Sequence, residues 1–282
     1  MKVGVLMEYG KLYICPTPIG NLEDITLRTL RILREVDIIA CEDTRHSLRL
    51  LNHYEIKKPL TSYHEHNIRE KGQELIQKLI EGNNIAIITD AGMPGISDPG
   101  ADLIKLSIEE DIEVVVLPGA TASITALVAS GLNTRKFVFE GFLPSKKKDR
   151  IKALETLVNE KRTIIFYESP HRVINSMEDM LEVLGNRNIA VCRELTKHYE
   201  EILRGNFETA LKRFNQDVVK GEFVIIVEGN TEIEKEEINI EEELIRHLEN
   251  GLTKKEAIKK VVEEKKIPKN IVYSESLKLN KK

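Results

Sequence analysis

Ile85-Ala86-Ile87-Ile88-Thr89-Asp90-Ala91-Gly92-Met93-Pro94-Gly95-Ile96-Ser97-Asp98-Pro99-Gly100 is the stretch whose reading decides the fold. Its opening is a short, continuous apolar run without polar alternation, the pattern of a strand buried on both faces of a parallel sheet. Three glycines and two prolines between Thr89 and Gly100 are more than a connector needs, so the strand ends in a pocket loop. Asp90 is then placed to meet a cationic or hydroxylated ligand. Asp98 before Pro99 predicts a capping carboxylate ahead of a proline at the first helical position.

Working outward, Leu12 to Cys15, Val36 to Cys41 and Val114 to Leu117 are similar runs. Between them Leu27, Leu30, Ile32 and Leu33, then Leu75, Ile76, Leu79 and Ile80, recur at helical spacing. This alternation predicts an α/β layer fold. Asp24-Ile25-Thr26 marks the first helix start, and Gly131 stops a helix running from about Ala120 to Ser130. Pro16 to Asn21 and Pro118 to Ser123 also follow predicted strands. Three such loops at one sheet edge enclose a single small-molecule site.

After a linker at Leu132 to Lys136, a second α/β unit has strand candidates at Phe137 to Phe142, Thr163 to Tyr167, Ile189 to Arg193, Glu200 to Leu203 and Phe223 to Val227. An antiparallel pair is expected around Val191 to Arg204. Ser169-Pro170 is expected to cap a helix with Val173, Met177, Met180, Leu181 and Leu184 on its apolar face. Past Gly229 the charge polarises: Thr231 to Glu249 holds eight Glu against one Lys and one Arg, whereas Gly251 to Lys282 holds ten Lys against four Glu. Thr253 to Glu256 is a capping box, with Ala257, Ile258, Val261 and Val262 behind it and Ile271, Val272 and Leu277 in a further short helix. The resulting division is an N-terminal α/β domain over 1–132, a second α/β domain over 133–230, and over 231–282 an acidic linker followed by a basic helix-turn-helix-like tail.

At 282 residues the chain suits two ordinary domains and an appendage, and 41% hydrophobic with 31% charged residues excludes a disordered chain. No run approaches the roughly 20 apolar residues of a membrane span. Glu8 to Lys11 interrupt any leader-like apolar region, so a cytoplasmic protein is expected. Cys15, Cys41 and Cys192 lie far apart without a paired spacing and are read as buried small residues, with no metal site. A net charge of −4 requires any RNA site to be a local basic patch. The glycine fingerprints of dinucleotide folds and phosphate loops are missing, which places a dinucleotide oxidoreductase last.

Taken together, the blocks Leu12 to Thr26, Ile39 to Leu51, Ser62 to Asn67, Thr89 to Gly100, Leu117 to Ser123, Phe137 to Pro144, Phe166 to Arg172, Cys192 to Thr196 and Lys220 to Gly229 resemble the tetrapyrrole-methylase superfamily. The segments Cys41 to Arg45, Ser62 to Asn67 and Phe166 to Arg172 resemble, more narrowly, its small-subunit rRNA (cytidine-2'-O)-methyltransferases. This resemblance implies the two-domain class III methyltransferase fold, with S-adenosyl-L-methionine between the domains and a homodimer. It implies 2'-O-methylation of a cytidine ribose in 16S rRNA of the small ribosomal subunit, near the decoding centre. Pro18, Ile19 and Gly20 would line one cofactor wall, and Asp90, Ala91, Gly92 and Met93 another. Thr121 and Ala122 would border the ligand, with Tyr167 and Phe223 joining from the second domain. The family's first loop often has a GxGxGD form, from which the prolines and Asn21 depart.

A ribose hydroxyl is a poor nucleophile, so transfer needs in-line orientation and a proton acceptor. Glu42 and Asp43, at the end of a predicted strand, are the carboxylates expected there, with Arg45 holding a phosphate or orienting one of them. The alternative is that Asp43 caps the next helix and Glu42 supports Arg45. His64, Glu65, His66 and Asn67 either face RNA, where rings stack and Asn67 reads a base edge, or form a solvated helix start. His171 and Arg172 either touch RNA or close a helical turn. Lys146, Lys147, Lys148 and Arg150 form a basic run that suits phosphate contact or a solvated face. Competing expectations are a small-molecule methylase of the same fold, for which a basic tail has no use, and a noncatalytic RNA-binding assembly factor, against which the intact pocket loops argue.

Overall fold

The computed structural model describes residues 8–216, 219–230, 240–265 and 269–278. Two compact units divide after Asn230. The first opens as β1 (Leu12–Ile14), α1 (Leu27–Glu35), β2 (Ile38–Cys41), α2 (Thr44–His53), β3 (Leu60–Ser62), α3 (Ile68–Ile80), β4 (Ile85–Ile88), α4 (Ala101–Glu109), β5 (Val114–Val116) and α5 (Ala122–Ser130). These strands form a parallel sheet in the order β3-β2-β4-β1-β5. From β1 the chain crosses β4 to reach β2, whereas from β4 it crosses β1 to reach β5. Neighbouring strands whose connections leave in opposite directions open a crevice at their carboxyl ends, where α/β sheets bind ligands.

The apolar runs are legible because helices cover both faces. Leu12, Ile14, Ile85 and Ile87 pack with Leu75 and Leu79 on one side, and Ile39, Cys41, Ala86 and Ile88 with Leu33 and Leu51 on the other. Thr26 caps α1 by accepting from the Thr29 amide at 3.0 Å. Ile32 and Leu33 are buried, but Leu27, at the first helical position, is 86% exposed and stands outside the expected stripe. Strand β3 escaped the sequence reading, being three half-buried residues at a sheet edge with no apolar run. Asp98 does not cap a helix as expected. Helix α4 starts at Ala101 behind Gly100, without a side-chain cap. Gly95 and Gly100, at φ 81° and 143°, fold the loop back on itself so tightly that a Cβ on Gly100 would lie 3.1 Å from the Gly95 amide nitrogen.

The chain continues as β6 (Phe137–Phe142), α6 (Lys147–Glu155), β7 (Thr163–Glu168), α7 (Val173–Leu184), β8 (Asn188–Arg193), β9 (Glu201–Asn206), α8 (Phe207–Phe214) and β10 (Phe223–Val227). The second sheet runs β6-β7-β10-β8-β9, parallel at β6/β7 and antiparallel elsewhere, including the expected β8/β9 pair. On β10, Phe223, Ile225 and Val227 face α6, α7 and α8, while Val224 and Ile226 face Ala126 and Leu127 of α5. Helix α5 thus leaves the first sheet and covers the second. Helix α7 buries Val173, Met177, Met180 and Leu184 as expected, but Ser169 supplies no side-chain cap, and Arg172 occupies the capping position. Ser169 contributes its carbonyl instead, accepting from the amides of Arg172 and Val173.

The second unit comprises α9 (Ile240–Glu249), α10 (Lys254–Lys265) and α11 (Lys269–Lys278). The expected acidic linker is therefore helical from Ile240 onward, with Leu244 packed against Ala257, Ile258, Val261 and Val272. Residues 231–239 of that linker lie outside the described part. One half of the expected capping box forms, Glu256 accepting from the Thr253 amide at 2.9 Å, while the Thr253 hydroxyl donates to the same carboxylate at 2.6 Å. Ile271 and Leu277 stay half exposed.

All three cysteines are buried. Burial pushes the thiols up, Cys15 to about 12 and Cys192 to about 11, with Cys41 also raised. Only thiolates react with disulfide reagents. The folded chain should therefore release no colour from such a reagent at pH 8, while three equivalents react in denaturant; fast labelling of the folded chain would contradict this packing.

Candidate functional site

Strands β2 and β4 are parallel neighbours with Cys41 opposite Ile88, so the residues just beyond each strand emerge side by side at one edge. Strand β1 delivers Pro16 to Asn21 to the same edge. The β1 and β4 loops are tied together: the Thr17 amide donates to the Gly92 carbonyl at 2.9 Å, and the Gly92 amide donates to the Thr17 carbonyl at 3.1 Å. The β5 loop lies equally close, since a Cβ on Gly119 would be 2.6 Å from the Cβ of Pro16. Proline cannot swing aside. Gly119→Ala should therefore part the two loops, with overpacking of about 1 to 3 kcal/mol. A ligand held between them should bind roughly ten- to a hundredfold more weakly. Titration calorimetry of this variant reads the effect directly, and an unchanged affinity would place the ligand elsewhere.

Between these loops and the second sheet lies a cleft of about 290 Å³, close to the lower end of small-molecule sites, roughly 300 Å³. Ile19, Ala91, Gly92, Met93, Thr121 and Ala122 line it from the first sheet, and Tyr167 and Phe223 from the second. These are eight of the eleven residues expected around the cofactor. Tyr167 is fixed by accepting from the Ser123 amide at 3.1 Å and by edge contacts to Phe139 and Phe142, at 5.0 and 5.7 Å. The loop after β7 is held by the buried Glu168, whose carboxylate accepts from the Ser169 amide at 2.8 Å and the Ser176 hydroxyl at 2.6 Å. The lining carries Asp98, Glu168 and Glu222 but no Lys, Arg or His among the described residues. Burial pushes the Asp98 carboxyl above its ordinary range, with Asp90 adding to the rise.

The other three expected cofactor residues, Pro18, Gly20 and Asp90, line a neighbouring cavity of about 550 Å³. It shares Ile19, Ala91 and Glu222 with the cleft and adds His46, Arg49 and Lys197. The two cavities therefore adjoin but differ in charge. The first suits an apolar ligand bearing positive charge; the second offers cations to an anionic one.

Glu42, Asp43 and Arg45 line neither cavity. Asp43 caps α2, accepting from the Arg45 amide at 2.8 Å, and pairs with the Arg45 guanidinium at 3.1 Å. Its hydrogen bonds from Arg45 hold its carboxyl down at about 2, which makes it a weak proton acceptor. Burial pushes Glu42 the other way, reinforced by Asp98, Asp90, Glu65 and Asp43. Asn67 is occupied: it accepts from the His64 amide at 2.9 Å and donates to the Ser62 carbonyl at 3.1 Å, leaving α3 without a side-chain cap. His64 and His66 meet edge to face at 5.9 Å, and Glu65, His66 and Asn67 border a separate surface hollow beside Asp102. His171 is exposed, whereas Arg172 donates to the Leu143 carbonyl and pairs with Glu168. Lys146 is exposed; Lys147 pairs with Asp179 at 3.1 Å and with Glu182 at 3.7 Å. Arg150 leaves the expected basic run altogether, being buried against Asp179.

Residues 11–211 match the family of Tetrapyrrole (Corrin/Porphyrin) Methylases. The chain is 52% identical over 273 residues to the Ribosomal RNA small subunit methyltransferase I of Halalkalibacterium halodurans, covering 95% of this chain and 94% of that one. It is 47% identical over 273 residues to the protein of the same name from Bacillus subtilis, covering 94% of each. Among solved structures, uroporphyrin-III-C-methyltransferase from Thermus thermophilus aligns with a TM-score of 0.56 at 20% identity, over 77% of this chain and 94% of that one. Diphthine synthase aligns with a TM-score of 0.59 at 14% identity, over 78% and 90%. At those identities the two structures attest the fold.

Proposed function

The chain belongs to the tetrapyrrole methylases, in the ribosomal RNA small subunit methyltransferase I branch, and we propose that it transfers the methyl group of S-adenosylmethionine to the 2'-hydroxyl of a cytidine ribose in 16S rRNA, near the decoding centre. The observation that carries this reading is the pair of adjoining cavities, one lined by acids without a cation and the other bringing Arg49 and Lys197 beside Asp90 and Glu222. A sulfonium cofactor with a flat apolar nucleoside fits walls of Ile19, Met93, Ala122 and Phe223 with acids and no cation. A nucleic-acid strand fits the larger cavity with Arg49 and Lys197. The cytidine and its 2'-oxygen come from the likeness of the Cys41 to Arg45, Ser62 to Asn67 and Phe166 to Arg172 segments.

When bound, S-adenosylmethionine supplies an electrophilic methyl carbon on a positively charged sulfur. The chain supplies orientation: the Thr17–Gly92 tie and Tyr167 fix the cleft walls, and holding two reactants in line removes roughly 7 to 11 kcal/mol of barrier. Glu42 stands beyond the lining and adds its field to that of Asp90 and Asp98. Lys146, Lys148, His66 and His171 are exposed and stand ready to meet flanking RNA. The homodimer is supported by exposed apolar side chains on α5 and the edge strand β5: Ile124, Val128 and Val116. No helix among the described residues is long and apolar enough to cross a membrane. Substrate choice is tested by offering the chain labelled S-adenosylmethionine with small ribosomal subunits in one tube and a tetrapyrrole in another. Label in RNA alone is expected; label in the tetrapyrrole alone would move the chain to small-molecule methylation.

A further inference from the structure

We propose that His46, which stands beside Asp90, accepts the proton of the substrate hydroxyl during methyl transfer, an inference that rests on the ribose reading above. The two carboxylates expected to do this work do not reach either cavity: Asp43 is committed to its cap and to Arg45, and Glu42 lies outside both linings. His46, in the first turn of α2, does line the larger cavity. Asp90, delivered from the end of β4, lines it too, with its Oδ1 3.3 Å from His46 Nδ1. That Oδ1 is shielded from solvent and makes no hydrogen bond of good geometry, so an acceptor stands beside the imidazole awaiting a donor. Catalytic hydrogen bonds in a ligand-free site are often long and tighten when substrate arrives.

A carboxylate beside Nδ1 selects the tautomer with the proton on Nδ1, which leaves the Nε2 lone pair free to act as a base. The remaining charged groups facing the cavity are Arg49 from α2, Lys197 from the loop after β8 and Glu222 before β10. The two cations face a substrate phosphate without competing for a proton. Lys197 is itself bound by Glu194 and Glu222, at 2.9 and 3.0 Å. Because the cavity meets the cleft at Ile19, Ala91 and Glu222, a hydroxyl presented from it borders the cofactor's space. In the step, the hydroxyl proton passes to His46 Nε2 and the oxygen lone pair forms the new bond to the methyl carbon. The carbon–sulfur bond breaks with its electron pair going to sulfur, and the imidazolium later releases its proton to solvent.

The test uses the full chain and its His46→Gln variant with labelled S-adenosylmethionine and small ribosomal subunits. Turnover should fall roughly 10² to 10⁴-fold, while affinities for the cofactor and the subunit, measured without turnover, stay within about twofold of the parent, the span of context variation rather than of a lost contact. Independently of any reaction, nitrogen-15 NMR of the ligand-free chain should show His46 as the Nδ1–H tautomer, and Asp90→Asn should shift that balance. More than a tenth of the turnover retained in His46→Gln, a loss explained entirely by weaker subunit binding, or an Nε2–H tautomer in the parent would each overturn the assignment of His46 alone. A parent chain that binds cofactor yet leaves ribose unmethylated would overturn the ribose reading and this proposal with it.

Discussion

Ala122→Trp should lower the affinity for S-adenosylmethionine by at least roughly a hundredfold, about 2.7 kcal/mol, while leaving the fold intact. Ala122 is the first residue of α5 and lines the cleft. The helix is held to the second sheet mainly by the buried Ala126 and Leu127, one turn further on, with Ala122 at the edge of the same cluster. An indole at 122 therefore fills the cavity that Ala122 lines, while the buried anchors Ala126 and Leu127 are kept. A cleft of about 290 Å³ cannot hold both a tryptophan ring and a nucleoside. Titration calorimetry checks the affinity, and an unchanged melting curve by circular dichroism checks that the fold persists. Full affinity in a folded variant would mean that the cofactor binds elsewhere.

Asp179→Ala should destabilise the chain by about 3 to 5 kcal/mol, the range for breaking a buried ion pair from one side. Arg150 Nε donates to Asp179 Oδ2 at 2.7 Å, and both side chains are nearly inaccessible, at 7% and 4%. With the carboxylate gone, Arg150 keeps, among the described residues, the Pro144 and Ser145 carbonyls, which offset its dipoles but not its charge. Removing both partners for apolar residues of similar size should be far milder, since no buried charge then remains. Urea unfolding of Asp179→Ala and of the Asp179→Leu, Arg150→Met pair separates the cases. Equal losses would show that packing, and not the uncompensated charge, sets the cost.

Where burial dictates sequence, the fold was open to reading. Strands β4 and β10 are covered on both faces, so nearly every residue is apolar and the run is plain; β3, at an edge with Leu60, Thr61 and Ser62 half buried, leaves no such trace. The Asp98-Pro99 pair matched a helix start in local chemistry, but the packing of Gly95 on Gly100 delayed the helix, a contact that no local pattern encodes. The basic run hid a similar difference: Lys146 is exposed, whereas Arg150, four residues on, turns inward to an aspartate on another helix. For the site, loop composition marked the three pocket loops, because close backbone approach favours small and rigid residues, and the family resemblance supplied Ile19, Met93, Thr121 and Ala122, which line the cleft. The approach of His46 to Asp90 was out of reach, since it depends on β2 and β4 being neighbours in register, with Cys41 opposite Ile88. Adjacent carboxylates at 42 and 43 drew attention in the sequence; only the structure shows Asp43 turned to the helix amides.

The most direct test of the account is to incubate the chain with labelled S-adenosylmethionine and small ribosomal subunits from cells lacking this activity, then locate the methyl group by mass mapping of the RNA. A single cytidine carrying the label on its ribose is the result predicted. A chain that binds the cofactor but labels neither subunits nor free 16S rRNA, or that labels a base instead of a ribose, would contradict it.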